Sequence, residues 1–175
     1  GVDPNRNYSY QWGIVNNVYN SANPPDDTYY GPSAFSEKES QAIRDFLGSL
    51  TNLKSVITHH TFSELYLKPW SYTNSNAPGY QTLASVQQRN INRIQSVNGH
   101  TYTNSIWYNS VGECTDYIWN QHRAAAFTPE LRPSNLVTGG LDGFAPAASE
   151  ILPTCEENFA ANRAIIHDAA RTGLW

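Results

Sequence analysis

Apolar residues along this chain recur at two spacings, and the switches between them divide it into helices and strands. Ala42, Ile43, Phe46, Leu47 and Leu50 share one face of a helical pattern, which predicts a helix from about 37 to 50. Ser36 and Glu39 stand at its start in the spacing of a capping box. Residues 54–60 (KSVITHH) read as a buried strand, and 65–68 as a second strand after a sharp turn. Leu83, Val86, Ile91 and Ile94 repeat at helical spacing within about 79–97, and Asn98-Gly99 supplies the stop. A strand near 100–103, a helix around 113–122 and a strand at 124–131 follow. Thr154 and Glu157 read as another capping box, opening a final helix that ends near Gly173. Residues 9–31, rich in Asn, Tyr, Pro and Asp, read as a long loop lining a cleft. Strands alternating with helices predict an α/β fold with a mostly parallel or mixed sheet. No repeat or linker divides residues 1–175, so a single domain is expected.

Composition narrows the function classes. The chain has 175 residues, 39% hydrophobic and 15% charged, which is enough to bury a sizeable core. Its net charge of −4 argues against a nucleic-acid partner, which needs a basic stripe to neutralise phosphates. No apolar run approaches the roughly 18 residues of a membrane span, and no segment of these residues reads as a signal peptide.

Candidate chemistry centres on His60 and Glu130. A histidine at a strand end is a common place for a metal ligand in an α/β enzyme. His59 and His60 are adjacent, and in a strand they face opposite ways, so only one can point at a metal. A catalytic zinc usually takes three protein ligands and keeps a fourth position for water. No histidine here (59, 60, 100, 122 or 167) is followed three positions later by glutamate, so the chain reads as part of a metal site. His100, His122 and His167 read as structural or surface residues. Glu130 sits in an apolar-to-small strand, AAAFTPELR. Burial would raise its pKa and a neighbouring zinc would lower it, which suits a base near neutral pH. A salt bridge to Arg132 is the competing reading, and the residues alone leave the two about even. Pro129 cannot donate to a sheet ladder, so its side is expected to be an edge or a bulge. Arg6, between Asn5 and Asn7, offers a bidentate fork for a carboxylate, or else pairs with Asp3 or another acid. Tyr108 could equally be core.

Several segments together resemble the zinc carboxypeptidases of the carboxypeptidase A type. Gly1-Val2-Asp3-Pro4-Asn5-Arg6-Asn7-Tyr8 is similar to the family's G-V-D-x-N-R-N-aromatic motif. Tyr30-Gly31-Pro32-Ser33-Ala34-Phe35-Ser36-Glu37 resembles its turn before a helix. Thr58-His59-His60-Thr61-Phe62-Ser63 falls where the family has its third zinc-ligand histidine. Ser105-Ile106-Trp107-Tyr108, followed by Asp116-Tyr117, resembles the segment of the mobile substrate-contacting tyrosine. Phe127-Thr128-Pro129-Glu130-Leu131-Arg132 matches the F-T-x-E-L-R strand of the catalytic glutamate, with Pro129 a departure from the usual residue. The ending, Gly143-Phe144 through Ile151-Leu152-Pro153 and then a long helix, is also similar.

The resemblance implies a zinc-dependent enzyme that removes the C-terminal residue of peptides or proteins. His60 would be the third zinc ligand, and Glu130 the general base that activates water and then delivers protons. Asn5 and Arg6 would bind the free terminal carboxylate, and Tyr108 would close over it. Thr115 would form the base of the side-chain pocket, with Leu67, Thr103 and Thr128 lining it. That neutral pocket implies apolar, aromatic or mixed terminal residues, and Glu113 leaves a basic preference open. The family's first two zinc ligands and its carbonyl-polarising arginine lie upstream of the N-R-N motif and are absent from this sequence. The match covers the C-terminal part, a little over half, of such a catalytic domain. It implies one half of an eight-stranded sheet with helices on both faces, and an N-terminus that was cut or processed. The 124–131 strand would then lose its partner on one side, and a bare edge invites pairing with the missing N-terminal part or a second copy. For Cys114 and Cys155 the alternatives are free thiols or a disulfide. Low charge, few lysines and the secreted-peptidase resemblance favour the disulfide, worth about 3–4 kcal/mol, and an extracellular location. Two other functions compete. One is a non-catalytic module that binds peptide C-termini, and the other is a relative acting on cell-wall peptides or another amide.

Overall fold

A computed structural model describes residues 1–105, 108–134 and 141–171. Ile106 and Trp107 of the tyrosine segment, and Gly173 at the expected helix end, lie outside the described residues. By their contacts the residues form two compact units. One comprises Gly1–Lys54, Pro69–Ala77 and Ile106–Ala124; the other comprises Ser55–Lys68, Pro78–Ser105 and Ala125–Trp175.

The second unit holds a mixed sheet of four strands: β1 (Ser55–Ile57), β2 (His60–Thr61), β3 (Leu65–Leu67) and β4 (Ala125–Leu131). β4 pairs with the other three, parallel to β1 and β2 and antiparallel to β3. Glu130 faces His60 on one neighbour and Leu65 on the other. β4 is therefore central here: β3 folds back along Thr128–Glu130 on its second side, where no described strand pairs with Ala125–Phe127.

The strand expected over 54–60 is split in two, and Pro129 explains the split. β1 and β2 keep one register against β4, with Ile57 opposite Phe127 and His60 opposite Glu130. The Thr58 N–H donates to the Phe127 carbonyl at 3.0 Å. The next bond of a parallel ladder would run from the N–H of residue 129 to the Thr58 carbonyl, and proline has no N–H. The ladder stops after Ile57 and resumes at His60. Pro129 thus interrupts a paired strand where an edge or bulge was expected.

The strand expected near 100–103 reduces to a single bridge between Leu65 and Thr103. Helix α2 (Tyr80–Asn98) follows its predicted stripe: Leu83, Val86, Ile91 and Ile94 are buried. Each contributes about 1.5–3 kcal/mol of burial free energy. Gly99 closes α2 with φ +79, a conformation that glycine adopts without strain.

The first unit contains a short 3-10 turn (Pro4–Arg6) and helices α1 (Lys38–Ser49) and α3 (Cys114–His122). α1 forms where expected, but Ile43, Phe46 and Leu50 of its apolar stripe are exposed and only Leu47 is buried. No side chain caps its start. Ser36 Oγ instead accepts from Asn7 Nδ2 at 3.0 Å.

The final helix, α4 (Ile151–Ala170), belongs to the second unit and packs on α2. It begins earlier than the expected capping box. Thr154 lies inside it, its hydroxyl donating to the Glu150 carbonyl at 2.6 Å, and Glu157 is fully buried. No described helix is long and apolar enough to cross a membrane.

Candidate active site

Strand register places the first group. His60 and Glu130 are ladder partners, and His60 Nδ1 lies 3.8 Å from Glu130 Oε1. His59 faces the other way, with Nε2 3.5 Å from Asn162 Nδ2 on α4. Burial holds its pKa below the ordinary histidine value, and the neighbouring His60 adds to the effect. Leu67 and Thr128 are ladder partners too, and the Thr128 hydroxyl meets that of Thr58 at 2.9 Å. Thr103 pairs with Leu65.

Arg132 does not pair with Glu130. Its Nε donates to Glu157 at 2.9 Å, its Nη2 to the other Glu157 oxygen, and its Nη1 to Glu150 at 2.8 Å. Glu157 also accepts from the Tyr102 hydroxyl at 3.1 Å. This network ties the end of β4 to α4 and leaves the Glu130 carboxylate to the His60 side. Glu157 was read as a helix cap, and only its tertiary partners reveal its role.

The second group is built on loops of the other unit. Arg6 is buried, its Nε donating to the Tyr19 carbonyl at 2.8 Å and its Nη1 to the Asn5 carbonyl at 2.9 Å. Nη1 also lies 3.5 Å from Glu113 and 3.9 Å from Asp3. The guanidinium thus faces two internal carboxylates. Asn5 Oδ1 accepts the Cys114 N–H at 3.0 Å at the start of α3. Tyr108 is half exposed and stacks on Tyr19, with centroids 4.2 Å apart, so it is not a core residue. Thr115 is buried in α3. Gly112 adopts φ +66, and a Cβ there would meet the Arg6 carbonyl at 2.4 Å, so only glycine fits beside this turn.

Two further residues of this unit, Asn7 and Asp116, hold the loops in place. Asn7, fully buried, offers Nδ2 to the Tyr30 and Ser33 carbonyls at 2.9 and 3.0 Å and accepts from the Ser40 hydroxyl at 2.7 Å. Asp116 accepts the Ser71 N–H at 2.9 Å and the Tyr72 N–H at 3.2 Å. Burial raises its pKa to about 8, and the Glu113 charge adds to this against the backbone donors. Asn7 stands inside the N-R-N motif, which was the available signal; Asp116 had no signal beyond its place in the tyrosine segment.

The expected disulfide is not formed. Cys114 is buried and Cys155 exposed, both as free thiols. The Cys114 thiol is enclosed beside the Tyr8 hydroxyl, and burial raises its pKa to about 11.

Among the described residues, no three His, Cys, Asp or Glu side chains gather to hold a metal ion. His60 and Glu130 by themselves do not fit a zinc, which needs further ligands.

Comparison with known proteins bears on the family and the fold. The family model for zinc carboxypeptidases matches residues 1–161. Carboxypeptidase B of Homo sapiens is 34% identical over 166 residues, covering 92% of this chain and 38% of that protein. Carboxypeptidase A1 of Mus musculus is 36% identical over 165 residues, with the same coverage of 92% and 38%. This chain therefore spans less than half the length of these relatives. Among solved structures, bovine thrombin-activatable fibrinolysis inhibitor in complex with tick carboxypeptidase inhibitor superposes with TM-score 0.85 at 27% identity, over 97% of this chain and 57% of that one. Carboxypeptidase A from Helicoverpa armigera gives TM-score 0.84 at 26% identity, over 99% of this chain and 43% of that one.

Proposed function

Because the chain belongs to the zinc carboxypeptidase family, we propose that it carries the base-bearing and terminus-recognising part of an enzyme that hydrolyses the C-terminal peptide bond of peptides or proteins. The observation that carries this reading is the His60–Glu130 pair, 3.8 Å apart on adjoining strands. In it Glu130 takes the proton of the attacking water and passes it to the leaving amine. His60 serves as one metal ligand, and the remaining ligands for zinc come from outside the described residues. Arg6 and Asn5 recognise the terminal carboxylate, Tyr108 covers it, and Thr115, Leu67 and Thr128 receive the last side chain. The exposed apolar residues Ile43 and Phe46 on α1, and Leu152 and Phe159 on α4, support association with a complementary segment or a second copy. An extracellular location is part of the same reading.

In a protein carrying the complete domain, Glu130→Gln is expected to cut release of the C-terminal residue by about 10²–10⁴-fold while sparing zinc content and peptide binding. Retained turnover would sink the assignment. A second reading, a module that binds C-termini without cleaving them, is favoured by the lack of a three-ligand cluster among the described residues. Peptide binding without any release by the unaltered complete domain would select it.

A further inference from the structure

We propose that the groove between α2 and α4 binds a compact polyanion bearing phosphate or sulfate groups. The groove has a volume of about 700 Å³ and neither His60 nor Glu130 lines it, so the inference is independent of the reading of those two residues. Each helix lines it with one stripe at helical spacing. Arg89 and Arg93, four apart, come from α2; Arg163 and His167, also four apart, come from α4, and Arg171 follows one turn later at its C-terminal cap. Ala160 and Ala164 also line the α4 side.

The charge here is unlike that of the chain as a whole. The protein has net charge −4 with 11 Lys and Arg in total, yet four of those arginines line this one groove. Asp168 is its acidic lining residue, and Arg89 already engages it through Nε at 3.0 Å and Nη2 at 2.7 Å. That pair fixes Arg89 and leaves the groove with a surplus of positive charge from Arg93, Arg163 and Arg171. The Arg93 and Arg171 side chains make no hydrogen bond or ion pair among the described residues. The Arg163 guanidinium lies 6.0 Å over the Phe159 ring, an arrangement that leaves its N–H donors available. Exposed like charges held close together on two packed helices repel one another, and an anion relieves that repulsion. Guanidinium forks match the oxygen geometry of phosphate and sulfate, which sets this ligand class above a simple carboxylate. The half-open groove admits a small molecule with several anionic groups.

The test is isothermal titration of the chain with sodium tripolyphosphate and, separately, with sucrose octasulfate, at low and at physiological salt. Saturable binding of either at one site is expected, weakened by added salt. The double variant Arg93→Gln/Arg163→Gln should weaken it about tenfold or more, the loss of at least one charge-assisted hydrogen bond. Both side chains are exposed, so the variant keeps the core, and an unchanged thermal unfolding midpoint verifies this. The tighter of the two probes identifies phosphate or sulfate as the preferred group. No saturable binding of either probe, or equal affinity in the double variant, would overturn the proposal.

Discussion

Helices α1 and α2 carry similar apolar stripes, yet one stripe is buried and the other is not. In α2, Leu83, Val86 and Ile94 are completely enclosed within the sheet-containing unit. In α1, Ile43 is 42% exposed and Phe46 61% exposed. The units around them do not divide so simply, because each buries both apolar and polar side chains. The sheet unit encloses Ala125, Ala126 and Phe127 of β4, and with them the Arg132–Glu157 pair. The loop unit encloses Val111 and Ile118, and with them Asn7, Asn20, Arg6 and Asp116, each bonded to backbone groups of distant segments. A hydrophobic pattern states which face favours burial; it does not state what covers that face.

The comparison is open to direct attack. The largest effect should come from Leu83→Ala, which opens a cavity in the packed unit and is expected to cost about 2–5 kcal/mol in denaturant unfolding. A cost under about 1 kcal/mol would mean that α2 is not the keystone of that core.

The loop unit should answer to pH through Asp116. The Asp116 carboxyl has an ordinary pKa of 3.8, raised by burial to about 8 in the fold. A raised acid contributes stability that is fully present below its unfolded pKa and is lost as pH rises through the folded value. Asp116→Asn removes this linkage. The melting temperature of the unaltered chain should therefore gain on that of the variant as pH falls from about 8 toward 4. A difference that stays constant across that window would show that Asp116 is ionised throughout. The smallest effect belongs to Phe46→Ala, on the exposed stripe of α1, expected to change stability by no more than about 0.5 kcal/mol. A cost like that of Leu83→Ala would place Phe46 in a core and erase the contrast.

Local signals in the sequence were read well where the chemistry is itself local. The α2 stripe with its Gly99 stop, the α3 span and β4 all formed close to their expected bounds. Signals that depend on distant partners were not. The spacing of Thr154 and Glu157 mimics a capping box, but Glu157 is drawn inside by Arg132 and Tyr102. Pro129 was read as the mark of an edge because a missing donor is cheapest there. The structure places it in the central strand and carries the cost in the neighbour, as the gap between β1 and β2. His60 and Glu130 were legible because their motifs are contiguous, and the register brings the two together. Pairing of Arg6 with Asp3 or another acid is open in the sequence, but nothing local names Glu113 as that acid, since the two lie far apart in the chain.

The central claim is that this chain holds only part of a metal centre, and zinc stoichiometry tests it most directly. The measurement is elemental analysis of the chain after dialysis against zinc and then against a mild chelator. The account predicts far less than one zinc retained per chain, because no three His, Cys, Asp or Glu side chains gather to hold a metal among the described residues. Retention of about one zinc per chain, lost on His60→Ala, would contradict it and show that this chain completes the centre by itself.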